Sequence, residues 1–304
     1  MKIFNIITIV FFVGFLGLAM VKALAVQAKD AEKHPIQVAM SAAFVSEKGI
    51  PVYDEITNYL SEKLGDDVEL VTGLGYSTIN SMIKDGIVSV GFVCGLPYVL
   101  MHDKSEPEAV LIAAPVMKDP RYKGQPKYYS DVIVRKDSPI SSFKELKGKT
   151  YVYNEEISNS GYNLPRYHLV SLGLTNGFFG KVLRSGSHEE SIRMVAQGEV
   201  DASSVDSLVL DYDRKMGFGY ADQVKVIESI GPAGIPPVVV SVKTSKEVRE
   251  RIQNVLLNMH KDPEGRRILD KALVDKFVAV DDSNYDDIRN FKQTAEAAGF
   301  TEIR

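Results

Sequence analysis

Four short stretches of this chain hold side chains suited to meeting an anion. Asn154-Glu155-Glu156-Ile157-Ser158-Asn159-Ser160-Gly161-Tyr162 follows an apolar alternation and leads into a segment with Pro165, a residue that suits the first turn of a helix. Backbone N–H groups left free at a helix start, with hydroxyls beside them, make a pocket for negative charge. The same residues also suit plain helix capping without any ligand. Gly186-Ser187-His188-Glu189-Glu190-Ser191-Ile192 is a second strand-to-helix junction, where His188 either caps the helix or reaches a ligand. Val200-Asp201-Ala202-Ser203-Ser204-Val205-Asp206 puts Asp206 just beyond a strand, at the edge where open α/β sheets bind ligands, although a solvated acid is the plainer reading. Gly73-Leu74-Gly75-Tyr76-Ser77-Thr78 offers the Tyr76 hydroxyl at another such turn, against the alternative of a tyrosine packed at a domain edge. Tyr98, in Cys94-Gly95-Leu96-Pro97-Tyr98, reads as core.

Ser160, His188 and Asp206 are also the residue types of a hydrolytic triad. A nucleophilic serine is normally presented on a Gly-x-Ser-x-Gly elbow. Here Ile157-Ser158-Asn159-Ser160-Gly161 has glycine on one side only, and nothing in the spacing requires Asp206 to orient His188. The five histidines (His34, His102, His168, His188, His260) show no HxxxH or HExxH spacing, and no Walker-type glycine-rich loop is present. The chain therefore calls for no metal and no cofactor, and any ATPase must be a separate subunit.

The elements that must position these residues alternate. PIQVAMSAA (35–43) reads as a buried strand, 50–64 as an amphipathic helix ending at Gly65, and VELVT (68–72) as a second strand. A helix at 78–84 closed by Gly86, a strand at 87–93 and a strand at 111–116 follow. After a loop at 118–127, YYSDVIVR (128–135) alternates as a strand and 136–148 suggests a short Ser-capped helix. A second β/α series begins at 150–153, with a helix after Ser160, a strand at 181–185, a helix at 189–197 and a strand near Ala202. The last strong strands are 224–230 and 238–242; from Ser245 onward the pattern is helical apart from a strand at 277–280. This order implies two α/β units, each a mainly parallel sheet with helices on its faces, joined by two crossings near 128–135 and 232–242. The expected division is 33–130 plus 240–304 for one lobe and 131–239 for the other.

Residues 1–28 stand apart. Met1-Lys2 precedes an apolar run to Val21, and Ala23-Leu24-Ala25-Val26-Gln27-Ala28 supplies the small residues of a signal-peptidase site. The expectation is a secretory signal peptide cleaved near Ala28-Lys29, with an uncleaved membrane anchor as the alternative. Cleavage would remove two lysines and no acid, leaving a more acidic exported protein. Across 304 residues the formal charge is already −4, which argues against nucleic-acid binding. Cys94 is the single cysteine, so an internal disulfide and a cysteine-built metal site are both out.

Four segments carry a resemblance to a known family: YYSDVIVRKDSPISSFKELKGK, SNSGYNLPRYHL, GSHEESIRMVAQGEVDASSVDS and IPPVVVSVKTSKEVRERIQNVLLNMHKDPEGRRIL. In this order and spacing they resemble the phosphate/phosphite/phosphonate-type periplasmic substrate-binding proteins of ABC transporters, over most of residues 35–275. The resemblance implies the type II periplasmic binding protein fold, two α/β lobes with a hinge and the ligand between them. It also implies that Ser158, Asn159 and Ser160 cradle the anion, that His188 and Asp206 face it from the same lobe, and that Tyr76 reaches it from the other. Two departures stand out. Asn159 occupies the place where the family's phosphonate binders usually have Thr, and FVCGLPY lacks the aromatic hydroxyl that some of them carry near Val93.

The expected function is capture of a small tetrahedral oxyanion by a monomeric periplasmic protein that delivers it to ABC permease and ATPase subunits in the inner membrane. The alternatives are an exported ligand sensor, or a sulfonate or other small-molecule binder of the same fold. Asp206 is expected to accept a proton carried by the ligand and so to refuse fully ionised sulfate; His188, if protonated, would offset part of the repulsion and make binding pH-dependent.

Overall fold

The computed structural model describes residues 35–41 and 46–304. The expected signal peptide at 1–28 lies outside them, as do the last residues of the strand expected at 35–43. In chain order the main elements are β1 (Ile36–Met40), α1 (Ile50–Leu64), β2 (Val68–Val71), α2 (Tyr76–Asp85), β3 (Val90–Phe92), α3 (Gly95–His102), β4 (Ala109–Met117), β5 (Lys127–Arg135) and β6 (Thr150–Tyr153). A π-turn (Asn159–Asn163) precedes α4 (Leu164–Ser171), then β7 (Lys181–Arg184), α5 (His188–Gln197), β8 (Ala202–Asp206), α6 (Ser207–Lys215) and β9 (Val224–Gly234). The chain continues with β10 (Val238–Ser241), α7 (Lys246–Asn258), α8 (Pro263–Lys271), β11 (Val274–Val278) and α9 (Asp286–Ala297).

These strands form two sheets. One has the order β11-β4-β10-β3-β1-β2 and the other β7-β6-β8-β5-β9. Within the first, β1 runs parallel to β2 and β3, with Val38 opposite Val90. Within the second, β6 runs parallel to β7 and β8, whereas β5 is antiparallel to both β8 and β9. Helices cover the faces because their apolar residues recur at helical spacing. In α1 the buried positions are Val52, Tyr53, Ile56, Thr57, Tyr59, Leu60 and Leu64, and the helix stops at Gly65, whose left-handed backbone (φ 65°) lets its N–H reach Ser61 O. Tyr53, Phe92 and Phe277 stack edge to face behind the first sheet. Ile133, Val152, Ile192, Val195 and Val205 fill a separate core in the second.

The junction between the sheets differs from the sequence expectation. β5 is a strand of the second sheet along its whole length, so the first crossing lies before Lys127 rather than at 128–135. The helical stretch after Ser245 is also divided. β11 pairs with β4 in the first sheet, but α9 packs on α4 beside the second, with the rings of Tyr167 and Phe291 4.7 Å apart and Asn163 Nδ2 donating to Ile288 O at 3.2 Å. The tail ends there too, where Phe178 N–H donates to Arg304 O at 2.8 Å. The described chain thus crosses three times. Asp287 ties the crossings together: its carboxylate pairs with Lys127 Nζ at 2.8 Å and accepts from Gly234 N–H at 3.3 Å. Gly234 is required by this approach, since a Cβ there would lie 2.5 Å from Asn284 O. Two local expectations also change. The helix at 136–148 is a single 3₁₀ turn (Phe143–Leu146), and α3 and α6 are helices that the sequence pattern did not announce.

Candidate functional site

Ser158 stands at the start of the π-turn and caps it, accepting from Gly161 N–H at 3.1 Å. Insertion of an extra residue per turn is a feature found often at functional sites. Here it places Ser158 and Ser160 on one histidine: His188 Nε2 lies 3.4 Å from Ser158 Oγ and 3.3 Å from Ser160 Oγ. On the other side of the ring, Asp206 N–H donates to His188 Nδ1 at 3.3 Å. A nitrogen that accepts carries no proton, so the neutral ring is protonated at Nε2 and donates to the serines. Ser158 Oγ then accepts from Gly161 and shares the His188 donor with Ser160, and its own hydrogen remains as a donor.

The same logic holds for two tyrosines. Asn154 Nδ2 donates to Tyr76 OH at 3.3 Å, and Asn159 Nδ2 donates to Tyr128 OH at 2.9 Å. Each hydroxyl oxygen is therefore engaged as an acceptor; the Tyr76 hydrogen is left to donate, whereas the Tyr128 hydroxyl also meets Cys94 and Ser160. Burial raises the pKa of both phenols, with Cys94 and Asp206 nearby adding to the effect, so both keep their protons. Asn159 acts as a brace: its Oδ1 accepts from Asn163 Nδ2 at 3.0 Å and its N–H reaches Cys94 Sγ at 3.4 Å. These bonds occupy its Oδ1, its backbone N–H and one of the two hydrogens on its Nδ2. Close packing is enforced at Gly161, where a Cβ would lie 1.9 Å from Asn154 Oδ1.

Asp206 is 2% exposed and sits at the N-cap of α6, where Oδ1 accepts from Leu208 N–H at 2.8 Å. Desolvation pushes its carboxyl well above the usual range, against the pull of that hydrogen bond. Desolvation also drops His188 to about 3, so the ring is neutral at physiological pH and the charged His188 entertained from sequence does not arise. The triad arrangement is absent as well. It is the backbone of Asp206, not its carboxylate, that orients His188, and it selects the tautomer in which Nε2 cannot take a serine proton.

A cleft of about 310 Å³ opens beside these residues. Met40, Ser41, Ile50 and the turn Thr72–Tyr76 line one side, with Glu155 and Gly186–His188 on the other. Tyr76 and His188 form its inner wall, and Ser158, Asn159, Ser160 and Asp206 lie behind that wall, all buried. Glu155 completes α2 from across the cleft. Gly75, at the N-cap of that helix, has no side chain to offer, and the Glu155 carboxylate accepts from Tyr76 N–H instead. A larger hollow of about 540 Å³, between the first crossing and α6, is lined by Lys118, Tyr122 and Asp211 and holds none of the candidate residues. Sequence reasoning missed Tyr128, and it quoted Asn154 and Glu155 within the Ser158 stretch without giving them a role. The only signal was their position beside the strands that carry the others.

The family model described as the periplasmic substrate-binding protein of phosphonate ABC transporters matches residues 39–285. The chain belongs to that family. Its relatives are substrate-binding proteins of transporters, and the chain shares with them the two-lobe α/β fold expected from sequence. The phosphonates-binding periplasmic protein of Escherichia coli is 24% identical over 254 residues, 82% of this chain and 73% of the relative. Among solved structures, a binding protein component of an ABC phosphonate transporter from Pseudomonas aeruginosa superposes with a TM-score of 0.77 at 22% identity, covering 87% of this chain and 88% of the other. A Prochlorococcus marinus protein in complex with methylphosphonate gives a TM-score of 0.74 at 18% identity, covering 87% and 98%. Among the described residues, no helix is long and apolar enough to cross a membrane.

Proposed function

We propose that this family member captures a small tetrahedral oxyanion (a phosphonate, phosphite or phosphate) at the Tyr76–His188 wall and delivers it to ABC permease and ATPase subunits. It works as a monomer in the periplasm, released by cleavage near Ala28-Lys29. The observation that carries this reading is the donor set. Tyr76 and Ser158 have oxygens already engaged by N–H groups, so each offers its hydrogen as a donor. Among the described residues that line the cleft none is Lys or Arg, so ligand charge is met by dipoles, and Asp206 shares a proton with the ligand.

Such a site favours an oxyanion that carries one acidic hydrogen. Charge-assisted hydrogen bonds contribute about 1.5–3 kcal/mol each. Titration calorimetry with methylphosphonate, phosphite, phosphate and sulfate tests the reading. One of the first three should bind, and the Ser158→Ala/Ser160→Ala double variant should bind it at least about tenfold more weakly while remaining folded. Unchanged affinity in that variant removes the site.

A further inference from the structure

Lys48 lies in the 3₁₀ turn (Glu47–Gly49) that leads into α1, on the first-sheet side of the cleft. Its ammonium reaches the opposite side. Nζ is 4.6 Å from the ring centroid of Phe218 and 4.8 Å from that of Tyr220, two rings stacked at 13° in the loop between α6 and β9. It also lies 3.9 Å from Glu189 Oε1. Glu189 is 5% exposed, and its Oε2 has no hydrogen-bond partner. The other charges facing this cage are Arg193, paired with Glu189 at 3.2 Å, and Asp213, which accepts from Tyr220 OH at 2.8 Å.

The contact sits at the mouth of the cleft. Lys48 is two residues before Ile50, which lines one side, and Glu189 directly follows His188, which lines the other. A cation over two aromatic faces beside a desolvated carboxylate is attractive only while the two sides are close. Opening would leave Glu189 and the rings without it.

We propose that Lys48 is a latch whose seating in the Phe218–Tyr220–Glu189 cage holds the two lobes closed and slows ligand escape. The inference uses the proposed function only for the kinetic readout; the conformational readout stands apart from it. Lys48→Gln removes the cation, Lys48→Arg keeps it, and Phe218→Leu removes one face of the cage at a half-buried position. Spin labels on cysteines introduced at Asp85 and Lys181, one on each side of the cleft, report lobe separation by pulsed dipolar spectroscopy without added anion. Cys94 is left in place because it is buried.

Lys48→Gln and Phe218→Leu should each shift the distribution to longer distances, and Lys48→Arg should not. The double variant should be no more open than either single one, as expected for two halves of one contact. With methylphosphonate as probe, the dissociation rate should rise about tenfold in Lys48→Gln, with little change in association. If methylphosphonate does not bind the wild type, the proposed ligand class is wrong, and the distance distributions still decide the latch. Distributions that stay unchanged in Lys48→Gln, or shift additively in the double variant, overturn it.

Discussion

Asp206 holds His188 through its backbone N–H at 3.3 Å, while its carboxylate turns away to cap α6. Two buried groups that look in sequence like members of a relay are in fact joined through the main chain. That single bond sets the proton on Nε2, and with it the direction of the hydrogen bonds to Ser158 and Ser160.

Stability should report the neutral ring. An unfolded chain protonates this histidine near its ordinary value of 6.5, whereas the folded one does so only near 3. Between those values the unfolded state binds more protons, so the His188 contribution is lost as pH falls through this window. Denaturant unfolding of wild type and His188→Gln at pH 7, 6 and 5 should show the wild type losing ground by about 1.4 kcal/mol per pH unit below 6.5. Asp206 acts in the opposite sense: burial raises its carboxyl, so its contribution fades as pH rises above the usual carboxylate range. A wild type-to-variant difference that is flat with pH would show that His188 titrates normally.

Asp206 should control which anions are refused. Facing a bare oxyanion at 4 Å, an ionised carboxylate would be repelled by about 4 kcal/mol at an effective dielectric near 20. Fully ionised sulfate cannot supply the proton that relieves this, whereas monoprotonated phosphate and phosphonates can. Calorimetry should find sulfate rejected by the wild type and accepted better by Asp206→Asn, with a smaller loss for phosphate or methylphosphonate. Tight sulfate binding by the wild type would refute this role.

Asn159 and Tyr128 should behave as one unit. If Asn159 serves by fixing the Tyr128 hydroxyl at 2.9 Å, Asn159→Ala and Tyr128→Phe break the same contact. Each should weaken anion binding by roughly tenfold, and the double variant should be about as weak as either. Fully additive losses would place Asn159 directly on the ligand.

Asp287 should matter to stability although it lies away from the cleft. It joins Lys127, Gly234 and its own helix, where Ile288 N–H donates to it at 2.8 Å. Asp287→Ala leaves Lys127 and the Gly234 N–H without this partner, and urea unfolding should show a loss of about 1–2 kcal/mol. Lys127→Ala should cost less, since the backbone bonds to Asp287 survive. Equal stability of wild type and Asp287→Ala would mean that the three crossings are held by packing alone.

Much of this protein is written locally. Alternation at Thr150–Tyr153, the helical spacing of α1 and the glycine at its end depend on neighbours a few residues away, so they can be read along the chain. The hydroxyl-rich junctions at Ser158 and His188 and the acid at the end of β8 were legible for the same reason: strand ends in α/β sheets point to the ligand edge. What each group does there was not legible. Asn159 became a brace because Tyr128, thirty-one residues away, supplied the hydroxyl it holds. His188 became a neutral donor because folding stripped it of water and set the Asp206 N–H against its other nitrogen. Glu155 capped a helix from the far side of the cleft because Gly75 could not. The third crossing escaped notice because helical periodicity shows that a segment has an apolar face, while the surface that buries it is chosen only when α9 meets α4.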